Sequence, residues 1–149
     1  MRASLVVVMA LVLGGCSPPP NRLEGSLADV YGLDFDTVQG SLVGSVLVVE
    51  YLRTASGARP LKMSVETTAL TAMPGQPIDL VEVVGNGPRG TLQRIVEQTT
   101  ELPLKKGTLT LDKPIAADQP LSGSFLTTIS NPSGRTLNGA FDLAKVVRR

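Results

Sequence analysis

Residues 121–146 read LSGSFLTTISNPSGRTLNGAFDLAKV, and the fold class is legible in them. Leu121–Ser130 and Arg135–Val146 form two arms around Asn131-Pro132-Ser133-Gly134, residue types that favour a reversal. On the second arm Leu137, Gly139, Phe141 and Leu143 share one face, while Asn138, Ala140 and Asp142 share the other. Side chains of a strand alternate between faces, so this period of two predicts a half-buried β-hairpin.

The same period runs back along the chain. Leu104–Leu111 contains a short strand around Gly107-Thr-Leu-Thr-Leu111. Thr91–Glu97 and Ile78–Val84 read as two arms joined by Gly85-Asn86-Gly87-Pro88-Arg89-Gly90. That stretch is glycine-rich, but it lacks the lysine and following helix of a phosphate loop. Leu61, Met63 and Val65 alternate with Lys62, Ser64 and Glu66. Ser45–Leu52 (SVLVVEYL) is apolar on both faces and β-branched, which predicts a central strand buried on both sides. Phe35, Thr37 and Gln39, and before them Leu23, Gly25 and Leu27, complete the alternating runs. Asp34–Leu52 is the best helical rival, and Gly40, Gly44 and the β-branched run weigh against it. Short strands at this spacing, separated by Gly/Pro turns, predict an all-β domain over 23–149. The expected form is an antiparallel β-sandwich or partly open barrel of about seven to nine strands.

Glycine recurs between apolar residues at i±2, in Leu23-Glu-Gly-Ser-Leu27, Val38-Gln-Gly-Ser-Leu42, Leu42-Val-Gly-Ser-Val46, Leu121-Ser-Gly-Ser-Phe125 and Leu137-Asn-Gly-Ala-Phe141. Glycine on an inner face bends a sheet or makes room for a large neighbour. It could also thin the face to leave a ligand cavity. The first reading is preferred, and the irregular spacing excludes a solenoid or propeller repeat.

The chain opens with Met1-Arg2, then Ala3–Leu13 without a charge. At 1.5 Å per residue that apolar stretch makes a helix of about 16 Å, too short for a bilayer core that needs roughly 20 residues. Its length and flanks fit a secretory signal peptide, residues 1–15. The stretch ends in Leu13-Gly14-Gly15-Cys16. This resembles the lipobox of bacterial lipoproteins: an aliphatic residue, two small residues, then cysteine. The resemblance implies that the signal peptidase recognises Leu13, Gly14 and Gly15 and cuts before Cys16. It also implies diacylglycerol, carrying chains such as palmitate, on the Cys16 thiol. In such lipoproteins an Asp after the cysteine favours retention in the inner membrane. Ser17 stands there, so the outer membrane is expected. Cys16–Arg22 is then a lipidated cysteine and tether. Pro18-Pro19-Pro20 favours an extended polyproline conformation, a stiff spacer between bilayer and domain.

Composition narrows the chemistry. Removing residues 1–15 from the 149 leaves 134, enough for one domain with a real core. The full chain has 14 basic and 13 acidic side chains, and the removed segment contains only Arg2, so the processed chain carries 13 of each. A zero sum gives no electrostatic reason to bind nucleic acid. Cys16 is the single cysteine, so the processed domain has neither a disulfide nor a thiol nucleophile. Histidine and tryptophan are absent. That excludes His-based acid/base catalysis, Ser-His-Asp triads and the usual zinc and copper ligand sets.

What remains is carboxylate, hydroxyl and lysine chemistry. Asp34-Phe35-Asp36, with Asp29 nearby, is the densest acidic cluster. It lacks the remaining oxygen ligands of a calcium loop and reads as a charged turn edge, as do Asp112-Lys113 and Asp118. Lys62 and Ser64 share a strand face and could form a dyad, though a solvated face is the better reading. No cofactor is implied. The expectation is a non-enzymatic, lipid-anchored envelope protein whose β-domain binds a partner protein or supports the envelope. A lipid or small-ligand carrier is the alternative, and a carboxylate-dependent hydrolase ranks last.

Overall fold

A computed structural model describes residues 20–130 and 134–149. Among them the chain forms β1 (Arg22–Glu24), a 3-10 turn (Ser26–Asp29), β2 (Thr37–Val43), β3 (Val46–Arg53), β4 (Ala58–Glu66), β5 (Pro77–Asp79), β6 (Val83–Val84), β7 (Gly87–Pro88), β8 (Gly90–Ile95), β9 (Thr99–Glu101), β10 (Leu104–Leu111), β11 (Leu121–Ile129), β12 (Arg135–Leu143) and β13 (Val146–Arg148). Seven of these strands have six or more residues, and they carry the architecture. One sheet runs β1-β12-β11-β10-β5, the other β13-β2-β3-β4-β8-β9, and β6-β7 is a separate small hairpin. The protein is all-β, with a sandwich-like pair of sheets and no closed barrel.

The hairpin that opened the reading is present. Leu121 opposes Leu143, Phe125 opposes Gly139, and Ile129 opposes Arg135. Leu121, Phe125, Ile129, Leu137, Phe141 and Leu143 enter the core. They meet Leu47, Val49 and Tyr51 of β3 and Leu61, Met63 and Val65 of β4, from the other sheet. β3 lies at the centre of its sheet, and Val48 and Glu50 on its second face are buried as well. Tyr51 links the layers: its hydroxyl donates to the Ala140 carbonyl at 2.7 Å, and its ring meets Phe35 and Phe125 edge-on.

The glycine pattern has a packing explanation. A Cβ at Gly139 would sit 2.5 Å from Phe125 Cζ, and one at Gly123 would sit 2.9 Å from Phe141 Cζ. At Gly40 it would overlap Leu143. These glycines are seats for large side chains from facing strands. Gly44 instead serves the β2–β3 turn, with φ +59°.

Four elements depart from expectation. Only Arg22–Glu24 of the Leu23–Leu27 run is a strand, after which Gly25 turns the chain and Leu27 is buried in the 3-10 turn. Ile78–Val84 is not one strand. Pro77–Asp79 pairs with β10, the Asp79 carboxylate accepts the Val81 N–H at 2.9 Å, and Leu80 drops into the space beside Gly90 and Gly107. The turn then closes on Gly85-Asn86, between Val84 and Gly87, while β8 pairs with β4 in the other sheet. The second hairpin arm ends at Leu143, and Val146–Arg148 crosses to pair in parallel with β2. The sheets are therefore not wholly antiparallel. Val146, fully buried, exchanges backbone hydrogen bonds with Asp118 and Gln119 and fixes that crossover. Finally, Thr99–Glu101 adds a short edge strand beside β8.

Candidate functional site

Leu13, Gly14, Gly15 and Cys16 of the expected lipobox, the expected signal helix, and Pro18-Pro19 lie outside the described residues. The structure does describe where the chain enters the sandwich. β1 runs antiparallel to β12, with Arg22 opposite Ala140 and Glu24 opposite Asn138. The Asp142 N–H donates to Asn21 Oδ1 at 2.7 Å. Going back from Glu24 to Asn21, the chain therefore moves towards Leu143. Leu121 opposes Leu143, and Leu111 opposes Gly123, so β10 and β11 also have this end. Leu143 fills the seat at Gly40, and the Arg149 N–H donates to the Leu42 carbonyl, which aligns the Val43 end of β2 with it. We call it the tether end.

An apolar cleft of about 410 Å³ opens between the sheets at the tether end. Leu42 from one sheet, Ile78 and Leu111 from the other, and Leu70, Met73 and Ile115 from the connecting loops line it. Its volume falls in the range of small-ligand pockets, although it is open to solvent. Met73 stands on its rim, 67 % exposed. A tight turn fixes that position: the Gln76 N–H donates to the Met73 carbonyl at 3.0 Å, with Pro74 and Gly75 (φ +82°) between them. Proline followed by a left-handed glycine is the sequence of a type II turn. The Gln76 side chain closes it from the other side, accepting the Met73 N–H at 3.1 Å.

Lys113 also lines the cleft, exposed to solvent, while the other charged and hydroxyl groups around it are engaged locally. The Thr67 hydroxyl donates to the Ser45 carbonyl at 2.6 Å. The Glu66 carboxylate accepts from the Thr68 hydroxyl at 2.6 Å and the Thr68 N–H at 2.9 Å. Those bonds hold its pKa down at about 2, the Thr68 hydroxyl being the largest cause. Arg89 is buried. Its guanidinium donates to Glu82 at 2.8 Å, to the Glu66 carbonyl at 2.8 Å and to the Thr68 carbonyl at 3.2 Å. It ties the β6–β7 hairpin to the loop that leaves β4.

The acidic cluster disperses into separate structural tasks. Asp29 pairs with Arg135 at 2.7 Å. The Asp34 carbonyl accepts from Arg53 Nε at 2.7 Å. Asp36 accepts the Thr54 N–H at 2.9 Å, which chiefly lowers its pKa. Asp112 accepts from the Ser122 hydroxyl at 3.0 Å, and Asp118 lies 3.5 Å from Lys145. Lys62 sits opposite Glu50 and Gln93, and Ser64 opposite Val48 and Thr91. The buried carboxylate on that sheet is Glu50, 2.7 Å from Arg59 Nε and bonded by Gln39 Nε2 at 2.9 Å. Among the described residues no group of three or more acids is placed to hold a metal ion, and no helix is long and apolar enough to cross a membrane.

The sequence reading missed the cleft. Its walls come from five separate segments, β2, the loop after β4, β5, β10 and the loop after β10. No protein-family model matches the chain, and comparison with curated proteins and with solved structures finds no similar protein.

Proposed function

We propose that the chain is a bacterial envelope lipoprotein, anchored through lipid on Cys16, whose β-domain holds a partner or supports envelope structure without catalysis. Leu13-Gly14-Gly15-Cys16 after an uncharged apolar stretch carries this reading. Two features of the domain accord with it. Eleven of its thirteen acidic side chains are engaged by hydrogen bonds or ion pairs within the domain, and Gly40, Gly123 and Gly139 seat large side chains. The outer membrane is the favoured location, from Ser17. A lipid or small-ligand carrier is the second reading, and the open apolar cleft beside Met73 favours it.

The test is to express the full chain and its Cys16→Ala variant in bacteria fed labelled palmitate, then separate membranes from soluble protein. Label and membrane association in the parent, both lost in the variant, are expected. A single chain gives only marginal binding, whereas two or more, at about 0.8 kcal/mol per buried CH₂, hold firmly. An unlabelled parent, or a variant that stays in the membrane fraction, would refute the anchor.

A further inference from the structure

We infer that the tether end of the sandwich rests on the phospholipid surface, with Met73 and Val43 entering the headgroup region. This deepens the lipoprotein reading and rests on it. Among the described residues six large apolar side chains are exposed, namely Val30, Val43, Met73, Val83, Leu126 and Val147. Three of them gather at one end. Val43 closes β2 there, and Met73 stands on its fixed turn. Val147 lies next to Arg148, which pairs with Leu42.

Chain length brings the same end to the membrane. From Cys16 to Asn21 there are five residue steps, which span at most about 18 Å when fully extended. β11 alone, with nine residues, is about 30 Å long. The Asn21 end is thus held within a distance shorter than the domain, and the opposite end is not. The spacer sets how far the domain can rise, and the apolar residues favour the lowered position.

Charge does not supply the attraction. Lys113, Arg148 and Arg149 are exposed at this end, but so are Asp112 and Asp142. Asp118 and Glu82 have cationic partners of their own. Contact is therefore apolar, with the long basic side chains lying along the headgroups. Such docking is weakly sensitive to salt and does not require anionic lipid.

The processed chain has no thiol besides the lipidated one, so an introduced cysteine can be labelled alone. Met73→Cys, Val43→Cys and, as a far-end control, Val30→Cys are each made in the full chain and labelled with an environment-sensitive fluorophore. The lipidated proteins are reconstituted into phosphatidylethanolamine/phosphatidylglycerol vesicles carrying a lipid-borne quencher. A blue shift and severalfold stronger quenching at 73 and 43 than at 30, retained in high salt, are expected. Equal quenching at all three sites in protein that floats with vesicles would overturn the docking and leave the anchor intact. Failure to float would overturn both. Protection of position 73 in intact cells without quenching in vesicles would assign this end to a protein partner instead.

Discussion

Tyr51 joins the two sheets through one hydroxyl, and its environment makes a measurable demand. Burial pushes its phenol well above the usual tyrosine range, because the anionic form would lose its hydration. The folded chain keeps this proton where the unfolded chain, titrating near the ordinary value of 10.0, has released it. The unfolded state then binds fewer protons, so stability falls as pH rises above about 10. Absorbance titration should show that Tyr51 stays protonated until the chain unfolds. Ionisation of Tyr51 in folded protein would contradict this. Gly139 makes a second residue-scale demand. Ala there meets Phe125 and the Arg22 carbonyl, and overpacking of this kind costs about 1–3 kcal/mol. Gly139→Ala should lower the denaturant midpoint, and adding Phe125→Leu should recover part of the loss. An unchanged midpoint for the single variant would mean that the seat is not tight.

Elements show where sequence was legible and where it was not. Long strands carry their own signature, because alternation over six or more residues marks both strand and buried face. Leu61–Glu66 and the 121–143 hairpin were readable for that reason, and so was the central place of Val46–Leu52. Two- and three-residue strands hold too few side chains to show a period. β5, β6, β9 and β13 therefore escaped, and Ile78–Val84 looked continuous although it serves different partners. Which sheet Val146–Arg148 joins is decided by long-range contacts with Gly40, Asp118 and Gln119. The cleft was illegible for the same reason, since distant loops build it. Arg89 was read as part of a turn, and its sequence neighbours give no sign of the two carbonyls it satisfies. Removing it leaves those acceptors without their donor, and a hydrogen bond to a charged group is worth about 1.5–3 kcal/mol. Arg89→Ala should destabilise the domain by that order and raise hydrogen exchange first in residues 82–89. Arg89→Lys, which keeps charge but not the planar fork, should recover only part. Exchange that is unchanged across 82–89 would remove Arg89 from its clamping role.

The whole molecule divides into a core that explains its own stability and an end where the fold leaves a cleft open. Facing large and small residues fill the sandwich, and its acids hold turns together. The tether end has an open cleft, a rigidly mounted methionine and the point from which the chain leads to Cys16. The cysteine sequence cue and the geometry of β1 bear on the same end. The direct test is the mass of the N-terminal peptide from full-length chain recovered from bacterial membranes. A peptide that starts at Cys16 and carries diacylglycerol on its thiol is expected. A peptide starting at Met1, or a Cys16 with a bare thiol, would contradict the anchor on which the proposed function and membrane placement both depend.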